Sequence, residues 1–301
     1  MLHAINLEAL KALDAIDRKG SFAAAAKFLH KVPSALTYTI KKLENEVGSP
    51  LFDRTQHKAQ LTPAGRLVLE QGRDILEATY RMVESVRQLE SGWECHLRIA
   101  RDTIIPSDPI FNAVKAYNGL GHPTDITLSV EALGGGWDAL HSQRADLVVG
   151  VTGELPRGFY KTIPMGDVTT PFVVSKDHPL ASIERELTHE DIEPWSSIVI
   201  PDSSQLLPAR SAGLLNSHNV IRVNNAEAKI KAHLMGLGVG FLPRHLIQDH
   251  LASGDLVEKT CYIPRTPQTM YIAWPAEQDG NALKWFVEHL SRIHWKAILE
   301  G

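Results

Sequence analysis

Ser34, Thr37, Tyr38 and Lys41 stand three, one and three positions apart, a spacing that gathers them on one edge of a helix. Each is a hydrogen-bonding or cationic side chain, and no carboxylate interrupts them. Hydroxyls and an ammonium presented in this way can bond base edges and phosphate oxygens of duplex nucleic acid, whereas an acid would repel the backbone. Other cations extend the edge: Lys31 just ahead of it, and Arg54, His57 and Lys58 in a later polar stretch. Residues 19–66 hold eight Lys and Arg against three Asp and Glu, in a chain whose formal net charge is −4. Compact positive charge within an acidic chain is what local phosphate contact requires, although a solvated charged face has the same composition.

Other chemistries find no support. His245 and His250 are five positions apart, as are His289 and His294, which misses the one-turn spacing of a helical metal pair. No CxxC occurs, so neither a metal nor a cofactor is expected. Cys95 and Cys261 are the two cysteines and lie far apart, as free thiols of a reducing cytoplasm would. Gly134-Gly135-Gly136 lacks the following Lys-Ser/Thr of a phosphate loop and the spacing of a dinucleotide fingerprint. No Gly-x-Ser-x-Gly elbow supplies a nucleophile, so the chain is not expected to be an enzyme. No stretch approaches the roughly 18 uncharged apolar residues of a membrane span. Met1–Leu10 has no basic region followed by an apolar run, so no secretion signal is read there. The expected setting is cytoplasmic, with no membrane partner.

The polar edge needs elements to hold it. Leu7, Leu10, Leu13 and Ile16 mark the apolar stripe of a first helix, which Gly20 stops. Ser21 is a good N-cap for a short second helix whose small residues, Ala23 to Ala26, allow another helix close. Pro33 suits the first position of a third helix running to about Val47, with Leu36, Ile40, Leu43 and Val47 as its buried side. Gly48-Ser49-Pro50 breaks that helix. Leu51 to Arg54 can form a strand, Thr55 to Gln60 a polar turn and Leu61-Thr62 the return, a hairpin whose cations can lie beside a backbone. Together these pieces read as a winged helix-turn-helix with Ser21, Lys31, Pro33, Ser34, Thr37, Tyr38, Lys41, Arg54, His57 and Lys58 on the DNA side. The other reading is an amphipathic bundle that serves protein association, ahead of a cytoplasmic small-molecule-binding module.

After Pro63 no proline interrupts the chain until Pro106. Val68, Gly72, Ile75, Thr79, Met82, Val86 and Leu89 alternate four and three apart, flanked by Leu69, Leu76 and Val83 at seven-residue spacing. Such a heptad stripe belongs to a helix of about 28 residues, a rod of roughly 40 Å, buried against a partner helix or in cis on its own chain. Beyond Trp93 the pattern becomes α/β. His96–Ala100, Ile126–Ala132, Asp146–Val151, Pro171–Ser175, Ser197–Ile200, Val239–Leu242 and Met270–Trp274 read as strands between helical stretches. The expected domains are residues 1–62, a linker helix over 63–91 and an α/β domain over 92–301.

Two groups of motifs carry a family resemblance. The first is Gly20-Ser21-Phe22 with Ala23 to Ala26, Leu29-His30, Ser34-Ala35-Leu36, Ile40-Lys41-Lys42-Leu43-Glu44, Gly48, Pro50-Leu51-Phe52-Asp53-Arg54, Leu61-Thr62 and Ala64-Gly65. The second is Ala145-Asp146-Leu147-Val148-Val149-Gly150, Val173 to Ala181, and Gly236-Leu237-Gly238-Val239-Gly240-Phe241-Leu242-Pro243. With these the chain resembles the LysR family of transcription regulators over nearly its whole length. It departs from the common pattern at Val32-Pro33 and Tyr38-Thr39, where many members carry Ser-Gln and Arg-Gln; its base preferences should differ accordingly.

The resemblance implies several things. The α/β domain would have the two-lobed form of periplasmic solute-binding proteins, with lobe one at 92–165 and 268–301 and lobe two at 166–267. The crossings would fall near Met165–Val168 and Pro264–Thr269. A small-molecule effector, by family habit an organic acid or aromatic compound, would sit between the lobes. Its contacts would come from Arg101, Asp102, Thr103, Gly135, Trp137, Ser203, Ser204, Asn224 and Phe241, with Gly134, Asp202 and Asn225 beside them. The long helix would join a homodimer on a roughly palindromic operator, and members of the family commonly assemble further into tetramers.

Overall fold

The computed structural model describes residues 5–53, 60–122, 124–153, 159–210, 217 and 219–300, and for 84, 85 and 87–91 the backbone alone. It divides into two compact units, Met1–Glu90 and Ser91–Gly301.

In the first unit, α1 (Leu7–Lys19) starts at Asn6, whose side chain accepts the Ala9 amide, and ends at Gly20 in the left-handed region. α2 (Phe22–Phe28) is capped by Ser21, which accepts the Ala24 amide. α3 (Pro33–Val47) has proline in its first turn and ends at Gly48 with φ 73°. The three helices close over Leu13, Ile16, Leu36, Ile40 and Leu43, and buried Ala25 and Ala26 let α2 approach. Glu44 is the polar member of this buried set. Its carboxylate accepts the amides of Leu51 (2.9 Å) and Phe52 (3.3 Å) and so fixes the exit from α3. β1 (Phe52–Asp53) then pairs antiparallel with β2 (Gln60–Leu61), Phe52 opposite Leu61.

α4 (Pro63–Ser91) is capped by the Thr62 hydroxyl, which accepts the Gly65 amide. The expected single seam divides in two. Leu69, Gly72 and Leu76 are buried, and Arg73 reaches Asp14 (2.7 Å) and Asp17 (2.8 Å) on α1. A Cβ at Gly72 would stand 2.9 Å from Leu10 Cδ2, so glycine sets how closely α4 approaches α1. Further along, Ile75, Met82, Val83 and Val86 are exposed, Met82 to 65%. Leu69, Gly72 and Leu76 thus pack in cis, while Ile75, Met82, Val83 and Val86 are left uncovered by the first unit.

The second unit runs β3 (His96–Asp102), α5 (Asp108–Asn118), β4 (Asp125–Glu131), α6 (Gly135–His141), β5 (Leu147–Val151) and β6 (Tyr160–Val168) through lobe one. Lobe two follows with β7 (Phe172–Ser175), a 3-10 turn at Pro179–Ser182, α7 (His189–Ile192), β8 (Ser197–Val199), β9 (Val220–Arg222), α8 (Ala226–Leu234), β10 (Gly240–Phe241), α9 (Arg244–Ala252) and β11 (Leu256–Lys259). β12 (Gln268–Pro275), α10 (Asn281–Ser291) and α11 (Trp295–Glu300) return to lobe one.

Lobe one is built on a five-stranded sheet of order β4-β3-β5-β12-β6, in which β3 runs parallel to β4 and β5. Lobe two holds β10-β7-β11 and the parallel pair β8-β9, connected by a bridge between Ser197 and Val239. β6 and β12 pair antiparallel from Tyr160 to Val168, so both crossings between lobes leave side by side. Parallel strands ending in one direction bring the loops that follow them to one rim. Here that rim is the space between the lobes.

Candidate DNA-binding face and effector cleft

The α3 edge is presented as its residue pattern requires. Ser34, Thr37, Tyr38 and Lys41 are exposed, Tyr38 to 70%, while Leu36 and Ile40 on the opposite side are buried in the helical core. Thr37 Oγ1 donates to the Pro33 carbonyl at 3.0 Å, which orients the hydroxyl along the helix and leaves its lone pairs outward. Pro33 starts the helix and Ser21 is spent on capping α2, so both shape the face. Lys31 forms an ion pair with Glu8 of α1, which ties the entry of α3 to the first helix. Arg54, His57 and Lys58 lie outside the described residues.

In the second unit a cleft of about 510 Å³ opens between the lobes. Lobe one lines it with Arg101, Thr103, Val130, Glu131 and Ala132, and lobe two with Pro201, Asp202, Ser203, Asn224, Asn225 and Glu227. Of the residues expected to contact an effector, Arg101, Thr103, Ser203 and Asn224 are brought together here. Arg101 is anchored, its Nη1 donating to the carbonyls of Ile105 (2.7 Å) and Asp102 (3.3 Å), and burial lowers its guanidinium pKa.

Five expected contacts stand elsewhere. Trp137 is 2% exposed, since α6 turns it into the core of lobe one; its Nε1 donates to the Thr152 carbonyl at 3.0 Å and its ring packs on Tyr160. Gly135 is buried, and a Cβ there would fall 1.8 Å from Ser203 Oγ, so its role is to admit the lobe-two loop. Phe241 belongs to the lobe-two core, edge-on to Phe172 at 5.4 Å. Ser204 is off the lining, its amide given to Asp202 Oδ1 at 2.7 Å. Asp102 turns its carboxylate to the Ile104 amide at 2.9 Å, and burial pushes its pKa up to about 7.

What the residue pattern did not reveal is the clasp behind this cleft. Arg144 bonds Glu131 (2.5 Å) and the fully buried Asp138 (2.9 Å), both in lobe one. Asp138 also accepts the amides of Leu206 (2.8 Å) and Leu207 (2.6 Å) from lobe two. Burial alone would raise the Asp138 carboxyl, but the Leu207 amide, the Arg144 guanidinium and neighbouring loop amides outweigh it and hold the pKa at about 2. Glu131 takes the Ser203 hydroxyl, and Asp202 accepts amides of Gly134 (3.0 Å) and Arg210 (2.6 Å). Nearer the hinge, Thr103 Oγ1 accepts the Ala226 amide at 2.9 Å, and a His245 ring nitrogen meets the Ile104 carbonyl at 2.8 Å. The two lobes are therefore clasped by carboxylates of one holding backbone amides of the other.

A polar-edged third helix in one unit and a clefted pair of lobes in the other each match a described family. Residues 7–66 match the bacterial regulatory helix-turn-helix protein, lysR family, and residues 90–293 match the LysR substrate binding domain. The chain belongs to the LysR family. It is a DNA-binding transcription regulator with a substrate-binding effector domain. It is 35% identical over 288 residues to the uncharacterized HTH-type transcriptional regulator YeeY of Escherichia coli (strain K12), covering 94% of this chain and 92% of the relative. It is 32% identical over 284 residues to the HTH-type transcriptional regulator PunR of the same strain, covering 93% and 91%. Full-length CbnR complexed with its target DNA has the same fold, with TM-score 0.58 and 18% identity over 96% of this chain and 99% of that one. A full-length OxyR variant from Pseudomonas aeruginosa matches with TM-score 0.54 and 18% identity, over 98% and 97%.

Proposed function

We propose that this LysR-family regulator docks α3 in the major groove of its operator. Ser34, Thr37 and Tyr38 read bases, while Lys41 contacts phosphate together with Lys31, Arg54, His57 and Lys58. Ser21 and Pro33 hold the start of α2 and α3 against the backbone. The observation that carries this reading is the exposed, carboxylate-free edge of α3 directly opposite buried Leu36 and Ile40. The uncovered stripe of Ile75, Met82, Val83 and Val86 on α4 joins two copies, so that two recognition helices meet a roughly palindromic site. In domain terms, residues 1–62 bind DNA, 63–91 dimerise and 92–301 sense a small molecule.

The effector binds between the lobes at Arg101, Thr103, Ser203 and Asn224 and shifts the population of clasped and unclasped forms, which differ in affinity for the operator. The protein acts in the cytoplasm through binding alone, with no catalytic step. Electrophoretic retardation of the DNA upstream of its own gene tests the DNA half of this reading. Lys41→Glu should weaken binding to every duplex, and Tyr38→Ala should mainly relax sequence choice. Identical behaviour of the two variants would contradict the division of roles.

A further inference from the structure

The charge on the walls of the inter-lobe cleft limits what can enter it. Among the described residues its lining carries one cation, Arg101, and three carboxylates, Glu131, Asp202 and Glu227. Asp138 and Arg144 behind the lining cancel each other and leave this excess in place. Two of the carboxylates are held as anions. Arg144 stands 2.5 Å from Glu131, and Asp202 accepts the amides of Gly134, Ser204 and Arg210 at 3.0, 2.7 and 2.6 Å. Arg101 has turned its Nη1 onto the Ile105 and Asp102 carbonyls, so part of its hydrogen-bonding capacity is spent. A helix N-terminus can offset such an excess by drawing an anion, and α8 begins at the cleft. Here its first turn is already occupied. The Ala226 amide goes to Thr103 Oγ1 at 2.9 Å, the Ala228 amide to Asn225 Oδ1 at 2.8 Å, and Glu227 brings its own carboxylate to the same turn. A free acid entering this space would meet uncompensated like charge.

Two lining side chains, Asn224 and Glu227, make no hydrogen bond or ion pair among the described residues. Both are exposed and flank the start of α8, where they offer a carboxylate and an amide oxygen to N–H donors. On the lobe-one side Arg101 keeps guanidinium N–H groups that no described acceptor takes, which suits a carbonyl or hydroxyl oxygen. Val130, Ala132 and Pro201 add apolar lining. We propose that the cleft takes a small amine-bearing ligand, its ammonium on Glu227 and Asn224 and an uncharged oxygen on Arg101, and that it excludes acids. A ligand bridging Glu227 of lobe two and Arg101 of lobe one would draw the lobes together. The proposal rests on reading the second unit as the ligand sensor, and it departs from the organic acids that the family resemblance suggests.

The test is calorimetric titration and thermal melting of the full chain without DNA, with three probes of similar length. 4-Aminobutanamide, 4-hydroxybutanamide and succinamate share an amide and differ at the other end, which is an ammonium, a hydroxyl or a carboxylate. The ammonium probe should bind most tightly and raise the melting temperature of the sensing unit, and succinamate should do neither. Glu227→Gln should weaken the ammonium probe about tenfold or more, the worth of a hydrogen bond to a charged group. The same variant should leave 4-hydroxybutanamide binding and the probe-free melt near those of the wild type, because the side chain is exposed. Succinamate that binds as tightly as the ammonium probe, an ammonium probe that does not bind, or ammonium binding that survives Glu227→Gln, overturns the assignment. The sensor reading fails separately: 4-aminobutanamide bound through Glu227 with no change in operator retardation would keep the ligand class and remove its regulatory role.

Discussion

Replacing Asp138 by alanine should loosen the clasp between the lobes, and its cost can be worked from the contacts it removes. The carboxylate is wholly buried, faces Arg144 at 2.9 Å and accepts two amides from the opposing lobe at 2.8 and 2.6 Å. Breaking one partner out of a buried ion pair costs about 3–5 kcal/mol when the other charge is left unpaired; Arg144 keeps Glu131 at 2.5 Å, so this part falls below that range. The stranded amides of Leu206 and Leu207 add to this, but they share the same carboxylate, so the terms overlap and about 4 kcal/mol is the working figure. For a unit of this size 1 kcal/mol moves the melting temperature by roughly 2–4 °C, giving a fall of about 10 °C in the transition of the sensing unit. Calorimetry on the full chain resolves it.

The same contacts set a pH signature. Asp138 is held near pKa 2, below its ordinary carboxylate value of 3.8, so its contribution is present above about pH 4 and is lost as pH falls toward 2. The deficit of Asp138→Ala should therefore shrink in acid. Arg144→Ala removes the other end of the pair, and the double variant should lose less than the two singles added together. A loss under about 1 kcal/mol, with strict additivity, would refute the clasp as an energetic unit.

Two further outcomes follow from exposed and buried groups. Met82→Glu places a charge in the uncovered α4 stripe and should shift the protein from dimer toward monomer in sedimentation, with little change in the melt of the first unit; an unchanged mass would place the dimer contact elsewhere. Asp102 has a carboxyl raised to about 7, so the folded chain retains a proton that the unfolded chain has released, and stability falls as pH rises from about 4 to 7. The slope is at most about 1.4 kcal/mol per pH unit, less where water reaches the group. Asp102→Asn should accordingly gain in melting temperature over the wild type as pH is raised, and parallel curves would contradict the buried-carboxyl account.

The helix-turn-helix was legible because its punctuation is local. Pro33 and Gly48 bracket α3, and the two faces of that helix separate within fifteen residues. The strands of the second unit were legible where they are apolar runs, as in β3, β5, β7 and β8. β6, β9 and β11 are short or carry exposed polar residues, so no run announces them. Arg101, Thr103, Ser203 and Asn224 could be placed because loops after parallel strands converge. Trp137 and Phe241 were misplaced because an aromatic near a cleft suits a ligand as well as a core, and only packing decides which way α6 and β10 turn. Glu131 escaped notice since its partners Arg144 and Ser203 are 13 and 72 positions away, and no spacing rule reaches that far. The heptad pattern of α4 could not say where its cis contact ends, because that depends on how much of the helix α1 can cover.

The central claim is that the outward edge of α3 enters DNA, and cleavage directed from position 38 tests it most directly. Tyr38→Cys, in a background with half-buried Cys95 replaced by serine and buried Cys261 retained, can carry an iron chelate that cuts DNA beside it. Cuts confined to the major groove of two half-sites, about one helical turn apart or a multiple of that, are the predicted result. Scattered cutting, or cutting equal to that from a chelate at Leu206→Cys on the sensing unit, would contradict the assignment.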